Sequence, residues 1–176
     1  LKFNFEKKIK NNSIIFGNLP YNISSQILVK IIRFKERVPK YSSLIFMFQK
    51  EMAERIIAKF NTSKYGRLSI LANYKLKVLN KFNVSPNCFF PKPKVDSTVL
   101  HFKPNHEMFK KIQNIENLEK ITNMLFSNKR KMINKTMKRI FNKDNLNSIK
   151  NLNLNSRPSD LKPEKYYEIT EIFENL

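Results

Sequence analysis

The stretch from Ile15 to Gln26 reads IFGNLPYNISSQ, and it joins a strand pattern to a helix pattern through a stiff turn. The apolar run that opens it, with the two residues before it, is short and rich in β-formers, as in a strand buried on both faces. Pro20 lacks a backbone N–H and restricts the residue before it, so the turn is rigid. The sequence predicts that Asn18 and Tyr21 are held at the carboxyl end of a strand, where open α/β sheets bind ligands.

The four residues Asn18, Leu19, Pro20 and Tyr21 suit the methylation of an exocyclic amine on a nucleobase. The lone pair of such an amine is delocalised into the ring, so two acceptors are needed to fix its direction. The side-chain oxygen of Asn18 and the carbonyl of Leu19 or Pro20 are suited to this role. Tyr21 offers a ring face for stacking. A proline turn in which Asn18 bonds to the local backbone is the alternative reading of these four residues alone.

The rest of the first hundred residues alternates between helix and strand patterns. Ser24 or Ser25 is expected to cap a helix, and a strand over residues 43–48 and a helix over residues 50–59 follow. This order predicts a parallel α/β unit. A helix over residues 68–75 and a strand over residues 78–84 come next. Residues 94–103 alternate in polarity and predict an antiparallel strand that returns beside the previous one.

The loop over residues 85–93 is predicted to lie at the same edge of the sheet as Asn18, because a returning strand begins where the preceding one ends. It contains Phe89, Phe90 and two prolines that stiffen it. Phe89 is our candidate for a second stacking face on a flipped-out base. The alternative is that either phenylalanine merely covers the edge of the sheet.

Four motifs stand in one order along the chain. They are GNLPYNIS at 17–24, FQKE at 48–51, YGRLS at 65–69 and FFPKPKVDS at 89–97. Together they closely resemble the KsgA-type family of adenine dimethyltransferases that modify small-subunit ribosomal RNA. The resemblance extends to residues 126–133 and to the tail that begins at Arg157.

The resemblance implies an α/β fold: the C-terminal half of a Rossmann-like class I methyltransferase sheet, with parallel strands plus one antiparallel strand, and then a small helical domain. We expect the partial methyltransferase domain over residues 1–104 and a helical RNA-binding domain over residues 105–176. The implied cofactor is S-adenosylmethionine, contacted by Asn18 and Pro20. The family pattern also matches Phe89, rather than Phe90, to the aromatic residue that contacts the target ring.

A glycine-rich cofactor loop is not found, since Gly17 and Gly66 are the only glycines. Such loops let backbone approach a nucleotide cofactor closely. In the resembled family this loop and the acidic cofactor contacts lie upstream of the Asn-Leu-Pro-Tyr motif. We therefore expect the chain to be a fragment that begins just after the third strand of the sheet and is inactive without the part before it.

Basic residues dominate the charge, with 34 Lys and Arg against 14 Asp and Glu, a formal net charge of +20 and a pI near 10.1. A polyanion is the natural partner. Residues 55–95 hold nine basic residues and no acid, and residues 126–143 hold seven and no acid. A compositional bias of the genome is an alternative source of some lysines. The candidate RNA-binding residues are Arg67, Lys129, Arg130, Lys131, Lys135, Lys138 and Arg139.

Residues 129–141 predict a basic amphipathic helix. Ile133 and Met137 share one face with Ile140, while lysines at 131, 135 and 138 share the opposite face. Such helices also suit membranes or calmodulin-like partners. In a chain this basic, the phosphate backbone of RNA is the better interpretation.

The cysteine, the two histidines and the lack of long apolar runs restrict which metal sites and which locations the sequence supports. Cys88 is the only cysteine, so we expect a small buried thiol and no metal site. His101 and His106 are expected at a strand end and in a loop. No apolar run of about twenty residues and no signal-peptide pattern is found, so we expect a cytoplasmic protein. The resemblance implies that its partner is the immature small ribosomal subunit, and we expect it to act as a monomer.

Two further functions remain open from the sequence. One is an Erm-type methyltransferase of large-subunit ribosomal RNA, which shares the architecture. The other is a non-catalytic RNA-binding or ribosome-assembly factor.

Overall fold

The computed structural model describes residues 8–34, 39–108 and 111–176, and within them strands and helices alternate before a helical tail. The first part contains β1 (Ser13–Asn18), α1 (Ser24–Ile32), β2 (Tyr41–Gln49), α2 (Lys50–Ile56), α3 (Arg67–Lys75), β3 (Leu76–Val84) and β4 (Ser97–Pro104). The tail contains α4 (Ile115–Phe126), α5 (Asn134–Ile140), α6 (Lys143–Ser148) and α7 (Pro163–Glu174). Two short 3-10 turns lie at Pro86–Cys88 and Pro158–Asp160.

The four strands form one sheet in the order β1-β2-β4-β3. β1 and β2 are parallel, and β4 runs antiparallel to both of its neighbours. The predicted parallel unit and the returning antiparallel strand are therefore confirmed. Because β1, β2 and β3 point the same way, their carboxyl ends meet at one edge of the sheet.

The predicted helices are present, with different ends. α1 begins at Ser24, and Ile23 takes the cap position without a side-chain hydrogen bond. The expectation that Ser24 or Ser25 caps this helix was wrong, because the Ser24 hydroxyl instead donates to the carbonyl of Tyr21 at 3.2 Å. α2 ends at Ile56 rather than at residue 59.

β1 is less covered than its apolar sequence suggests. Ile14 is 56% exposed and Phe16 is 71% exposed, while Ile15 between them is half-buried. The expectation of a strand buried on both faces was therefore wrong for the described residues. The face of β1 that carries Ile14 and Phe16 is uncovered in the part of the chain that the structure describes.

One hydrophobic core runs through the sheet and the helical tail. α3 contacts β3, α1 and α2 of the first part and α4 and α7 of the tail. The buried cluster includes Leu28 and Phe48 from the first part and Leu118 and Ile169 from the tail. α3 is thus the element through which the two parts share a core.

Four tyrosine hydroxyls reinforce the junction between the two parts and the tail itself. Tyr65 donates to the carbonyl of Leu161 at 3.0 Å, and Tyr167 donates to the carbonyl of Ile70 at 3.2 Å. The Tyr74 hydroxyl accepts from the backbone N–H of Ile112 at 2.9 Å. Within the tail, the Tyr166 hydroxyl donates to the carbonyl of Pro158 at 2.6 Å, and burial raises the pKa of all four tyrosines.

The basic helix of the tail is shorter than predicted. α5 covers only Asn134–Ile140, and a turn that includes Lys131 precedes it. The backbone N–H groups of Ile133 and Asn134 donate to the carbonyls of Ser156 and Leu154 instead of continuing a helix from residue 129. The two faces are as predicted, since Ile133 and Met137 are buried while the lysines at 131, 135 and 138 are exposed.

Within the described ranges, no helix combines the length and the apolar character needed to span a bilayer.

Candidate functional site

The Asn-Leu-Pro-Tyr corner lies at the carboxyl end of β1. Asn18 is the last residue of this strand and is exposed, whereas Leu19 is buried in the core. A Cβ atom on Gly17 would lie 2.8 Å from Leu19 Cδ2 and 2.9 Å from Phe46 Cδ1. A larger residue at position 17 would therefore force the buried side chains of Leu19 and Phe46 to shift.

A hydrogen bond joins the Tyr21 side chain to β4. Its hydroxyl lies 2.6 Å from the hydroxyl of Ser97, which is the first residue of β4 and is fully buried. The carbonyl of Pro20 accepts from the N–H of Ile23 at 3.1 Å, which closes the turn into α1. The Tyr21 side chain is therefore restricted at its backbone end by the turn and at its hydroxyl end by the hydrogen bond to Ser97.

The loop before β4 presents two phenylalanines. It begins with the 3-10 turn Pro86–Cys88, in which the Ser85 hydroxyl accepts from the N–H of Asn87 at 3.3 Å. Phe89 follows and is half-buried, whereas Phe90 is fully exposed. Phe89 is thus the better-fixed of the two rings.

These two elements, separated by about seventy residues, line one cavity of about 360 Å³. Asn18, Leu19, Pro20 and Tyr21 form one side, and Phe89 and Phe90 with Pro91 and Pro93 form the other. The structure therefore brings the predicted catalytic residues together at the edge where parallel strands end. Met47 also lines this cavity, because the β1–β2 register, which the sequence alone does not give, places it beside Asn18.

The chemistry available in this cavity is that of polar neutral groups and aromatic faces. No charged side chain lines it among the described residues, and Asn18 has no hydrogen-bonding partner there that would occupy its amide. These residues fit the methyl-bearing end of S-adenosylmethionine and a flat base. Neither an acidic ribose contact nor a glycine-rich loop is present among the residues that line it.

A second cavity, of about 400 Å³, collects part of the predicted RNA-binding set. Arg67 at the start of α3 and Lys129 from the tail both line it, together with Arg55 and Lys64. It shares no lining residue with the cavity at Asn18. Arg67 therefore does not line the cavity that holds the predicted catalytic residues.

The positive charges around this second cavity differ in how far they are neutralised. Arg55 pairs with Glu51 at 2.5 Å, and Lys64 pairs with Glu54. The ammonium of Lys129 donates to the carbonyls of Ser63 and Tyr65, both at 3.0 Å. Lys129 thus links the tail to the loop before α3 through hydrogen bonds, a structural role that the sequence did not indicate.

The remaining candidate RNA-binding residues share exposure on the surface of the tail. These residues are Arg130, Lys131, Lys135, Lys138 and Arg139. They form no ion pair among the described residues, so their charge is open to a partner.

Two expectations about single residues were wrong. Cys88 is exposed, because the 3-10 turn that contains it projects from the loop at the edge of the sheet. His101 lies inside β4 rather than at its end, and its Nε2 is 3.1 Å from the hydroxyl of Ser43 on β2. No group of three or more histidine, cysteine, aspartate or glutamate side chains in the described ranges is arranged to hold a metal ion.

Comparisons with a family model and with known proteins agree with one another. The sequence model of the family described as "Ribosomal RNA adenine dimethylase" matches residues 1–175. A protein of Pelagibacter ubique named "Ribosomal RNA small subunit methyltransferase A" is 42% identical over 99% of this chain and 72% of its own length. A protein of Malacoplasma penetrans with the same name is 38% identical, over 100% of this chain and 64% of its own length.

Solved structures agree on the fold. A dimethyladenosine transferase from Plasmodium falciparum superposes with a TM-score of 0.72 at 26% identity, over 89% of this chain and 65% of that one. The 23S ribosomal RNA methyltransferase ErmE superposes with a TM-score of 0.64, and at 19% identity this likeness concerns the fold alone. The chain thus spans about two thirds of the length of these relatives, and its fold is that of Rossmann-like methyltransferases.

Proposed function

Because the chain belongs to the ribosomal RNA adenine dimethylase family, we propose that it takes part in methylating the exocyclic amine of adenines in small-subunit ribosomal RNA. The observation that carries the proposal is the single cavity shared by Asn18 and Phe89, two residues from elements far apart in the sequence. The relatives from Pelagibacter ubique and Malacoplasma penetrans, both named as small-subunit methyltransferases, favour that RNA over large-subunit RNA.

Asn18 is the residue that orients the amine in this proposal. Its side-chain oxygen accepts one N–H of the adenine amino group, and the backbone carbonyl of Leu19 or Pro20 accepts the other. With both hydrogens held, the nitrogen lone pair points in one direction. Since Pro20 already accepts from Ile23, one of its lone pairs is used within the turn.

Tyr21 and Phe89 bracket the base in this proposal. A flipped-out adenine loses its stacking partners in the RNA, and aromatic side chains replace them at about 1–3 kcal/mol per base. The hydrogen bond between the hydroxyls of Tyr21 and Ser97 and the turn before Phe89 support this role, because they restrict the two rings before a base binds. Fixed rings lose little entropy on binding.

S-adenosylmethionine, which methyltransferases generally use, supplies a methyl group on a positively charged sulfur. Asn18 and Pro20 are the residues of this chain that we propose to contact its methyl-bearing end. The exposed basic residues of α5 and of the turn before it hold the RNA, and we propose that the protein acts in the cytoplasm as a monomer.

The test of this proposal is methyl transfer by the full-length protein, with tritiated S-adenosylmethionine and immature small ribosomal subunits. We expect Asn18→Ala to lower the single-turnover rate by about a hundredfold or more, because one of the two groups that orient the amine is removed. RNA affinity is expected to stay within about twofold, since Asn18 lies outside the basic surface.

Three results would contradict the proposal. Equal rates for wild type and Asn18→Ala would remove the catalytic role of Asn18. Methylation of large-subunit RNA instead would favour the Erm-type activity. RNA binding without any methyl transfer would favour a non-catalytic assembly factor.

A further inference from the structure

A cavity of about 990 Å³, which we call the edge groove, lies at the opposite lateral edge of the sheet from the cavity at Asn18. Its walls are the end of α2 and the residues after it, α3, the first half of β3 and the start of α7. No predicted site residue lines it.

The edge groove combines an apolar floor with a basic rim. Ile56 and Leu76 contribute to the floor and are buried, while Val78 and Leu79 stand at its side and are 43% and 49% exposed. Four lysines line the groove, at positions 59, 77, 81 and 162, with Glu164 as the one acidic residue.

The lysines of the edge groove are only partly engaged. Lys77 pairs with Glu107 at 2.7 Å, and the Lys162 ammonium lies 5.5 Å from the centre of the Phe60 ring. Lys59 and Lys81 are exposed and form no ion pair among the described residues. The rim therefore keeps a positive charge that an anion can neutralise.

An added protein strand is a poor fit to this groove, although β3 is an edge strand. The pairing of β3 with β4 shifts register between Val78 and Asn80, which leaves Leu79 in a bulge. Bulges and exposed lysines such as Lys81 are the features by which proteins prevent strand addition at open edges. An RNA segment needs no strand register, because its phosphates can be neutralised by lysines and the apolar faces of its unpaired bases can pack on exposed aliphatic side chains.

We propose that the edge groove binds an unpaired segment of the RNA substrate, with phosphates at Lys59, Lys81 and Lys162 and bases against Val78 and Leu79. This inference rests on the proposed function, which supplies RNA as the partner. It adds a binding surface that is separate from both the cavity at Asn18 and the exposed basic residues of the tail.

The bound segment is distinct from the target nucleotide. In the register of the sheet, Asn18 is level with Met47, Val99 and Phe82, and the groove centres about four residues below Phe82. At about 3.3 Å per residue and 4.8 Å per strand, this places the groove roughly 20 Å from Asn18. Occupation of the groove therefore affects substrate affinity and leaves the chemical step unchanged.

The test replaces Lys59, Lys81 and Lys162 together by glutamine. With immature small subunits as the probe, we expect Kd to rise about tenfold or more near 0.15 M salt. The slope of log Kd against log salt is expected to fall by about 2, at roughly 0.7 for each phosphate that the variant no longer neutralises. KM is expected to rise with Kd, and kcat is expected to stay unchanged.

A matched control removes the same charge elsewhere. Lys8, Lys10 and Lys120 are exposed lysines outside the groove, and we call their replacement by glutamine the control triple. We expect it to change Kd less than threefold. In addition, 4-thiouridine-substituted RNA is expected to form crosslinks to the peptide that contains β3 in the wild type and to form none in the groove variant.

The possible outcomes distinguish a failure of this inference from a failure of the proposed function. Equal loss of affinity in the groove variant and the control triple would overturn the inference, because the effect would then be one of overall charge. Unchanged RNA affinity would also overturn it, and saturable binding of poly-glutamate would then assign the groove to an acidic protein. If the groove variant loses RNA affinity and the wild type transfers no methyl group, the proposed function is refuted and RNA binding by the edge groove is supported.

Discussion

At the scale of single residues, the stacking role that we propose for Tyr21 depends on its hydrogen bond to Ser97. This bond, 2.6 Å long, joins the turn after β1 to the first residue of β4. A net contribution of about 0.5–1.5 kcal/mol is typical for such a bond. Ser97 is fully buried, so removal of the partner leaves its hydroxyl without compensation.

Variants of Tyr21 separate the ring from its hydroxyl. We expect Tyr21→Phe to weaken substrate binding less than about tenfold, because it removes only the hydrogen bond to Ser97. Tyr21→Ala also removes the stacking face, worth about 1–3 kcal/mol, and its KM is expected to rise well beyond that of Tyr21→Phe. Single-turnover kinetics across RNA concentrations measure both effects.

The matched variant for this comparison is Ser97→Ala. It should behave as Tyr21→Phe does, and the double variant should be no worse than either single one, because the same bond is removed. Equal losses of affinity for Tyr21→Phe and Tyr21→Ala would contradict a stacking role for the ring.

At the scale of elements, the periodicity of apolar residues predicted the strands and most helices. It failed where hydrogen bonds to backbone groups distant in the sequence determine where a helix begins. The returning strand and the loop of Phe89 followed from alternation and chain direction alone. The start of α5 could not be predicted, because the N–H groups of Ile133 and Asn134 are taken by carbonyls some twenty residues away. The roles of Lys129 and Ser97 likewise depend on partners that only the folded chain brings close.

The basic surface around α5 is tested by replacing Lys131, Lys135 and Lys138 with glutamine. All three are exposed, whereas Ile133 and Met137 hold the segment in the core, so we expect a folded protein. If each lysine meets a phosphate, the salt slope of RNA affinity should fall by roughly 2 to 3.

Two controls accompany this variant of α5. The control triple removes the same charge, and thermal unfolding checks that the tail remains folded. A salt slope equal to that of the wild type would show that these lysines do not contact phosphate.

At the scale of the whole molecule, buried tyrosines make the fold sensitive to alkaline pH. Burial raises the pKa of Tyr74 to about 12 and raises those of Tyr65, Tyr166 and Tyr167 further still. Tyr74 and Tyr167 also pack edge to face, with ring centres 4.9 Å apart. Ionisation of any of these residues places a charge between the sheet and the helical tail or within the tail.

We expect the free energy of unfolding to decrease as the pH rises above about 10. In the unfolded chain tyrosine loses its proton near pH 10, whereas the folded state retains it to higher pH. Stability from these tyrosines is therefore complete below pH 10 and is lost between pH 10 and the folded pKa. Urea unfolding from pH 8 to 11.5, with tyrosinate absorbance followed in parallel, measures this dependence.

Tyr74→Phe serves as the comparison in this titration. It should lower stability at pH 8, because the N–H of Ile112 loses its acceptor, and it should flatten the alkaline slope. An alkaline slope identical to that of the wild type would contradict the assignment to this tyrosine.

The core shared through α3 has a consequence for how a substrate is chosen. Because the helical tail and the corner at Asn18 are built on one continuous packing, the spacing between them is set before any RNA arrives. If the tail and the corner at Asn18 both contact the substrate, as we propose, the distance between the two contacts is fixed by the protein. We therefore expect the RNA to adapt, and we expect selection of RNA in which a flexible adenine lies at the right distance from the segment bound by the tail.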